Sequence, residues 1–102
     1  MSEKYNIVLV CQNGASTDML ALKMEEAAKA NNIDVIVHAH PAVELKDYVD
    51  AADIVLLAPQ VRFKLNQFKA AYPNAKFKLV ETTDYGMLRG EKVLNEALKE
   101  LQ

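Results

Sequence analysis

The chain has 102 residues and a mass of 11.4 kDa, enough for one small domain and too little for two cores. Hydrophobic residues make up 51% and charged residues 25%, with only 3 Gly and 3 Pro, which supports a packed core and excludes disorder and collagen. A net charge of −2 and a pI of about 5.6 leave no basic footprint for non-specific nucleic-acid binding, and the 1 Cys allows no intramolecular disulfide, which fits a reducing compartment.

The start, Met1-Ser2-Glu3-Lys4, runs directly into an apolar segment too short for a signal peptide. No stretch approaches the roughly 18–20 apolar residues that cross a bilayer. There is no linker, repeat or low-complexity tract. The expectation is one soluble, cytoplasmic domain over residues 1–102.

Asn6–Val10 is apolar almost throughout and β-branched at Ile7, Val8 and Val10, the pattern of a central strand covered on both faces. Thr17–Asn31 places Leu20, Met24, Ala27 and Ala28 at helical spacing and ends at Asn31-Asn32. Asp34–His40 reads as a more polar edge strand, after which Pro41 opens a short helical segment through Leu45 and Val49. Asp53–Ala58 is a third strand, buried, followed by Pro59-Gln60 and a helix with Val61, Leu65, Phe68 and Tyr72 on one face. Phe77–Val80 is a fourth strand, Glu81–Gly90 a loop, and Val93, Leu94, Ala97, Leu98 and Leu101 mark a closing helix.

This alternation predicts an α/β fold, a three-layer α/β/α sandwich on a four-stranded parallel sheet. Right-handed crossovers with helices on both faces give the order 2-1-3-4. Its ligand crevice lies at the carboxyl ends of strands one and three, where the order reverses. Cys11–Ser16 and Ala58–Gln60 fall there.

Cys11-Gln12-Asn13-Gly14-Ala15-Ser16-Thr17 joins a buried strand to a helix N-terminus. Gly14 can take positive φ, so backbone N–H groups can converge on one point where the helix dipole favours an anion. Asn13, Ser16 and Thr17 add polar side chains that can bind a phosphate oxygen or cap the helix. The same partial positive charge favours a nucleophilic thiolate at Cys11, which suggests phosphoryl chemistry on sulfur. The competing reading is a small buried hydrophobe beside an ordinary helix cap. Low-molecular-weight tyrosine phosphatases, whose phosphate-loop architecture the fold resembles, use Cys-x5-Arg; here Thr17 stands at the arginine position. Without a guanidinium the site should hydrolyse a phosphocysteine slowly, as a carrier does. A small cysteine-dependent phosphatase remains the alternative.

Three segments together resemble the enzyme IIB component of the bacterial sugar phosphotransferase system (PTS), lactose/cellobiose/chitobiose class, nearest the cellobiose type. They are the strand-then-Cys11 loop with Gly14 and Ser16-Thr17, Val55-Leu56-Leu57-Ala58-Pro59-Gln60, and Asp84-Tyr85-Gly86. The resemblance covers essentially the whole chain. It implies that Cys11 accepts a phosphoryl group from a phosphohistidine of the IIA component and passes it to a β-linked disaccharide held by the membrane IIC component. It also implies that Gln12, Asn13, Gly14, Ala15, Ser16 and Thr17 cradle the phosphate, with Pro59, Gln60 and Tyr85 bordering the crevice. No cofactor or metal is implied, and the isolated protein is expected to be a monomer that meets the membrane only through IIC. Ala15 stands where methionine is usual, Asp18 where a neutral hydroxyl residue is common, and Arg89 where an acidic or amide residue is frequent.

A carboxylate at Asp18 suits the helix dipole and is expected to face solvent or the partner. His38 and His40 share a strand face with no third ligand, so they read as edge-strand surface. Asp84 reads as a loop-capping residue. Met19 and Leu22 point away from the main apolar stripe near Cys11 and are candidates for a transient interface.

Overall fold

Ile7, Val8, Leu9 and Val10 are all buried within β1 (Tyr5–Cys11), as a strand sandwiched between two helical layers requires. The computed structural model describes residues 4–12 and 15–101, with Ala15 and Ser16 as backbone only. β2 (Val35–Pro41), β3 (Ile54–Leu57) and β4 (Phe77–Leu79) join β1 in one all-parallel sheet of order β2-β1-β3-β4. The order reverses between β1 and β3, as the alternation of elements predicted. Cys11 is level with Pro41 of β2, while Val10 faces His40 on one side and Leu57 on the other.

At the amino end of the sheet a polar clamp sets the start of β3. The Asn6 N–H donates to the Asp53 carboxylate at 2.7 Å, and the Asp53 N–H donates to the Asn6 carbonyl at 2.7 Å. At the carboxyl end the Ala58 N–H donates to the Val10 carbonyl at 2.9 Å, so the segment leaving β3 is tied beside the last residues of β1.

Helix α1 (Ala15–Ala30) starts two residues earlier than the apolar periodicity indicates, so Thr17 lies within its first turn and not at its boundary. It ends where Asn32 takes the left-handed conformation at φ 58°, with the Ile33 N–H donating back to the Ala28 carbonyl at 2.8 Å. Pro41 ends β2, one residue beyond the predicted end, and also caps the 3-10 turn that starts at Ala42, as expected of a helix opener; a proline at the end of an edge strand needs no partner for an absent N–H. Single 3-10 turns at Ala42–Glu44 and Val49–Ala51 flank α2 (Leu45–Tyr48). The helix predicted after Pro59 divides into a 3-10 segment, Pro59–Lys64, and α3 (Leu65–Ala71). The predicted loop Glu81–Gly90 contains a helix, α4 (Thr82–Gly86), before α5 (Gly90–Leu101). One and a half turns are too short to show a 3.6-residue hydrophobic period.

Helices α1 and α5 pack against each other on one face of the sheet. Right-handed crossovers carry α2 and α3 to the other face. Leu20, Met24 and Ala28 of α1 and Leu94, Ala97 and Leu98 of α5 close the core over β1 and β3. No helix among the described residues is long and apolar enough to cross a membrane.

Candidate functional site

Cys11 is the last residue of β1, four positions before the first residue of α1. Its side chain is almost enclosed, at 3% exposure. Thr17 is fully buried in the first turn of α1, and its hydroxyl donates to Cys11 Sγ at 2.9 Å. Across the sulfur, the thiol donates to the His40 carbonyl oxygen at 3.8 Å. The first N–H groups of α1 have no acceptor within the helix, and the positive end of its dipole is directed at the chain leaving β1.

Gln12 is exposed beside Cys11. Asn13 and Gly14 lie outside the described residues, as do the side chains of Ala15 and Ser16. Pro59 is half-buried and Gln60 exposed, and the Ala58–Val10 hydrogen bond keeps both at the same end of the sheet as Cys11. Tyr85 is buried in α4, the helix that follows β4 in the chain. Asp18 is exposed, in line with the expectation that it faces solvent or a partner.

His38 is exposed on the edge strand as anticipated, but His40 is not a surface residue of the same kind. Its imidazole is only 18% exposed, stacks on Tyr48 with ring centroids 3.5 Å apart, and lies 5.9 Å from the His38 ring. Nδ1 is 3.8 Å from Glu44, while Nε2 is enclosed and has no hydrogen-bond partner among the described residues. Burial, and secondarily the neighbouring His38, push the His40 imidazole below its ordinary value of 6.5; Glu44 and Asp18 pull the other way. Strand spacing alone missed this burial, because the covering ring, Tyr48, comes from α2.

Asp84 is likewise more than a loop cap. Its carboxyl is 2% exposed and held by Arg89 Nη1 at 3.4 Å and by Lys92 Nζ, 3.2 Å from Oδ1 and 3.1 Å from Oδ2. The hydrogen bond to Asp84 holds the Lys92 ammonium above its usual range. Glu81, Asp84 and Glu96 place carboxylate oxygens within 4.8 Å of one another, and Lys92 supplies a cation there. Arg89 therefore serves to pin the segment between α4 and α5. The charge spacing Asp84, Arg89, Lys92 was readable, but only a helical turn at Thr82–Gly86 aims the three together.

Large apolar side chains stand exposed after each strand: Met19 at the start of α1, Val43 after β2, Phe63 after β3 and Met87 after β4, at 48%, 79%, 75% and 62%. All four belong to segments at the carboxyl end of the sheet, the end that carries Cys11. Leu22, the other exposed apolar residue expected on α1, lies one turn further along the helix at 49%. A groove of about 410 Å³ lies between the turn after β3 and the start of α4, lined by Pro59, Arg62, Leu79 and Thr82 among others.

Residues 6–96 match the family described as PTS system, Lactose/Cellobiose specific IIB subunit. The cellobiose-specific EIIB component of Lactococcus lactis subsp. lactis (strain IL1403) is 34% identical over 98 residues, covering 89% of this chain and 91% of the relative. The galactose-specific EIIB component of Lactococcus lactis subsp. cremoris (strain MG1363) matches with the same identity and coverage, 34% over 98 residues, 89% and 91%. The solution structure of a cellobiose-specific phosphotransferase IIB component from Borrelia burgdorferi superimposes with a TM-score of 0.80 at 38% identity, over 95% of this chain and 91% of that one.

Proposed function

This chain belongs to the lactose/cellobiose-specific IIB family of the sugar phosphotransferase system, and from that membership we propose that Cys11 is the residue that carries the phosphoryl group. The chain is thus a sugar phosphotransferase component, and IIB domains of this system work with IIA and IIC components. In the proposed cycle Cys11 takes a phosphoryl group from a phosphohistidine of IIA and delivers it to a β-linked disaccharide bound by IIC. The domain acts on the cytoplasmic side, as a monomer between encounters.

The observation that carries this reading is the position of the Cys11 sulfur, at the carboxyl end of the central strand and four residues before the N-terminus of α1. Backbone donors and the helix dipole offset the charge of a phosphorylated sulfur there without neutralising it covalently. The backbone N–H groups of Gln12 to Thr17 would form the cradle, with Pro59, Gln60 and Tyr85 on the β3 and β4 side. Among the described residues no Lys or Arg side chain hydrogen-bonds the sulfur, and Thr17 occupies the position at which a phosphatase places its arginine. Charge on a transferring phosphoryl group is then poorly stabilised for attack by water, so the group waits for its acceptor.

Both partners must reach one sulfur, so they bind in turn. The exposed Met19, Val43, Phe63 and Met87 supply an apolar rim suited to such transient docking. The decisive experiment is phosphorylation by phosphoenolpyruvate and the upstream phosphotransferases, followed by mass spectrometry. Label should appear on Cys11 and vanish in Cys11→Ser; persistent label on another residue of that variant would refute the proposal.

A further inference from the structure

We propose that the Thr17 hydroxyl serves the sulfur and not the phosphate: it is the positioning residue that holds Cys11 as a thiolate when a phosphoryl group is about to arrive and when one has just left. This rests on Cys11 being the phosphoryl carrier.

Two described residues hydrogen-bond Sγ. Among the described residues its hydrogen-bond partners are the Thr17 hydroxyl at 2.9 Å, which donates, and the His40 carbonyl oxygen at 3.8 Å, which can only accept. In the resting thiol both are satisfied, with the S–H directed to His40 and the Thr17 O–H directed to sulfur. Loss of the proton affects the two contacts oppositely. The His40 carbonyl then points a partial negative charge at an anion, whereas the Thr17 hydrogen bond becomes charge-assisted and stronger. Thr17 is at 0% exposure and Cys11 at 3%, so water does not compete strongly for either group and the contact acts at reduced dielectric.

The two transfers place the same demand on sulfur. In loading, the thiol first gives its proton to solvent. The thiolate then attacks phosphorus, the S–P bond forms, the P–N bond of the phosphohistidine breaks, and the histidine keeps the electron pair and takes up a proton. In unloading, the acceptor hydroxyl oxygen attacks phosphorus and its proton passes to a base or to solvent on the acceptor side. The S–P bond breaks, and sulfur departs with the electron pair as a thiolate. Thiolate is therefore the nucleophile of the first transfer and the leaving group of the second. A donor fixed on sulfur assists both, and unlike an arginine at this place in the chain it brings no positive charge to help water attack. One turn of α1 puts the hydroxyl there: the helix starts at Ala15, and Thr17 faces back onto the end of β1.

The test is the pH dependence of thiolate ultraviolet absorbance in the purified protein, taken as the difference from Cys11→Ser; the chain has only 1 Cys. Thr17→Val keeps the shape and removes the donor, and Thr17→Ser restores it. The midpoint should rise by about one pH unit or more in Thr17→Val and return close to wild type in Thr17→Ser. Phosphoryl loading should slow roughly tenfold in Thr17→Val and recover in Thr17→Ser, as the loss and return of one charge-assisted hydrogen bond to the reacting sulfur imply. Circular dichroism verifies folding, and Thr17→Ala replaces the valine variant if that one does not fold. An unchanged midpoint in a folded Val or Ala variant, or failure of serine to restore it, overturns the proposal. The absorbance readout needs no phosphoryl donor, so it stands apart from the labelling experiment: a normal titration response without label at Cys11 would count against the carrier reading alone.

Discussion

The imidazole of His40 lies flat on the ring of Tyr48, with centroids 3.5 Å apart and planes inclined by 10°. Edge strand and α2 are thereby joined beside Cys11, at the cost of enclosing a titratable group. Burial and His38 hold His40 below 6.5, against the opposite pull of Glu44 and Asp18. The unfolded chain therefore binds more protons than the native one in the interval below 6.5. Stability should be unaffected by His40 above that value, fall as pH drops through the interval, and reach its full penalty below the native midpoint. His40→Phe keeps the stack without a titratable group. Urea midpoints of the two proteins between pH 5 and 8, a range spanning the ordinary histidine value, should diverge on acidification, with the wild type losing more; parallel curves would rule the effect out.

Glu25 of α1 accepts a hydrogen bond from the Val37 N–H of the edge strand at 3.0 Å. That N–H points away from β1, toward the side where another strand could add, and Pro41 on the same side has no N–H to offer. The carboxylate thus blunts a free sheet edge. Glu25→Leu should cost about 1–3 kcal/mol through an unsatisfied N–H. It should also make the protein associate at high concentration. Equilibrium denaturation checks the first effect and light scattering the second; a monomeric variant of wild-type stability would contradict both.

A Cβ added at Gly90 would sit 2.6 Å from the Lys23 carbonyl carbon and 2.8 Å from its oxygen. Glycine at the start of α5 is what lets this helix approach the backbone of α1. In an exposed helix, Gly→Ala stabilises by about 1 kcal/mol. Here the sign should reverse, with a loss of about 1–3 kcal/mol as the two helices are forced apart. Thermal or urea unfolding of Gly90→Ala decides the matter, and any gain in stability would mean that the contact is not tight.

Strand existence and order were legible because each β run is short, apolar and separated by an amphipathic helix, and because chirality leaves few ways to connect them. Element boundaries were less so. Pro41 reads as a helix opener by its chemistry and caps the turn that follows, yet the ladder with β1 also extends through it. The helix Thr82–Gly86 has too few residues to reveal a period. Of the site, the position of Cys11 followed from the strand ending there. The roles around it did not: the Thr17 hydroxyl reads equally well as a cap, a phosphate ligand or a partner of sulfur, and only the direction of α1 puts it on Sγ.

The α/β class, the 2-1-3-4 sheet and the place of the one thiol at its carboxyl end could all be read along the chain. These follow from periodicity and connection rules, which are properties of neighbouring residues along the chain. It took the folded arrangement to put His40 under Tyr48, Asp84 between Arg89 and Lys92, and the Thr17 hydroxyl within 2.9 Å of the Cys11 sulfur. Each depends on the angle at which separate elements meet, and that angle is set by packing across the whole core, where close approaches such as Gly90 on Lys23 leave little freedom.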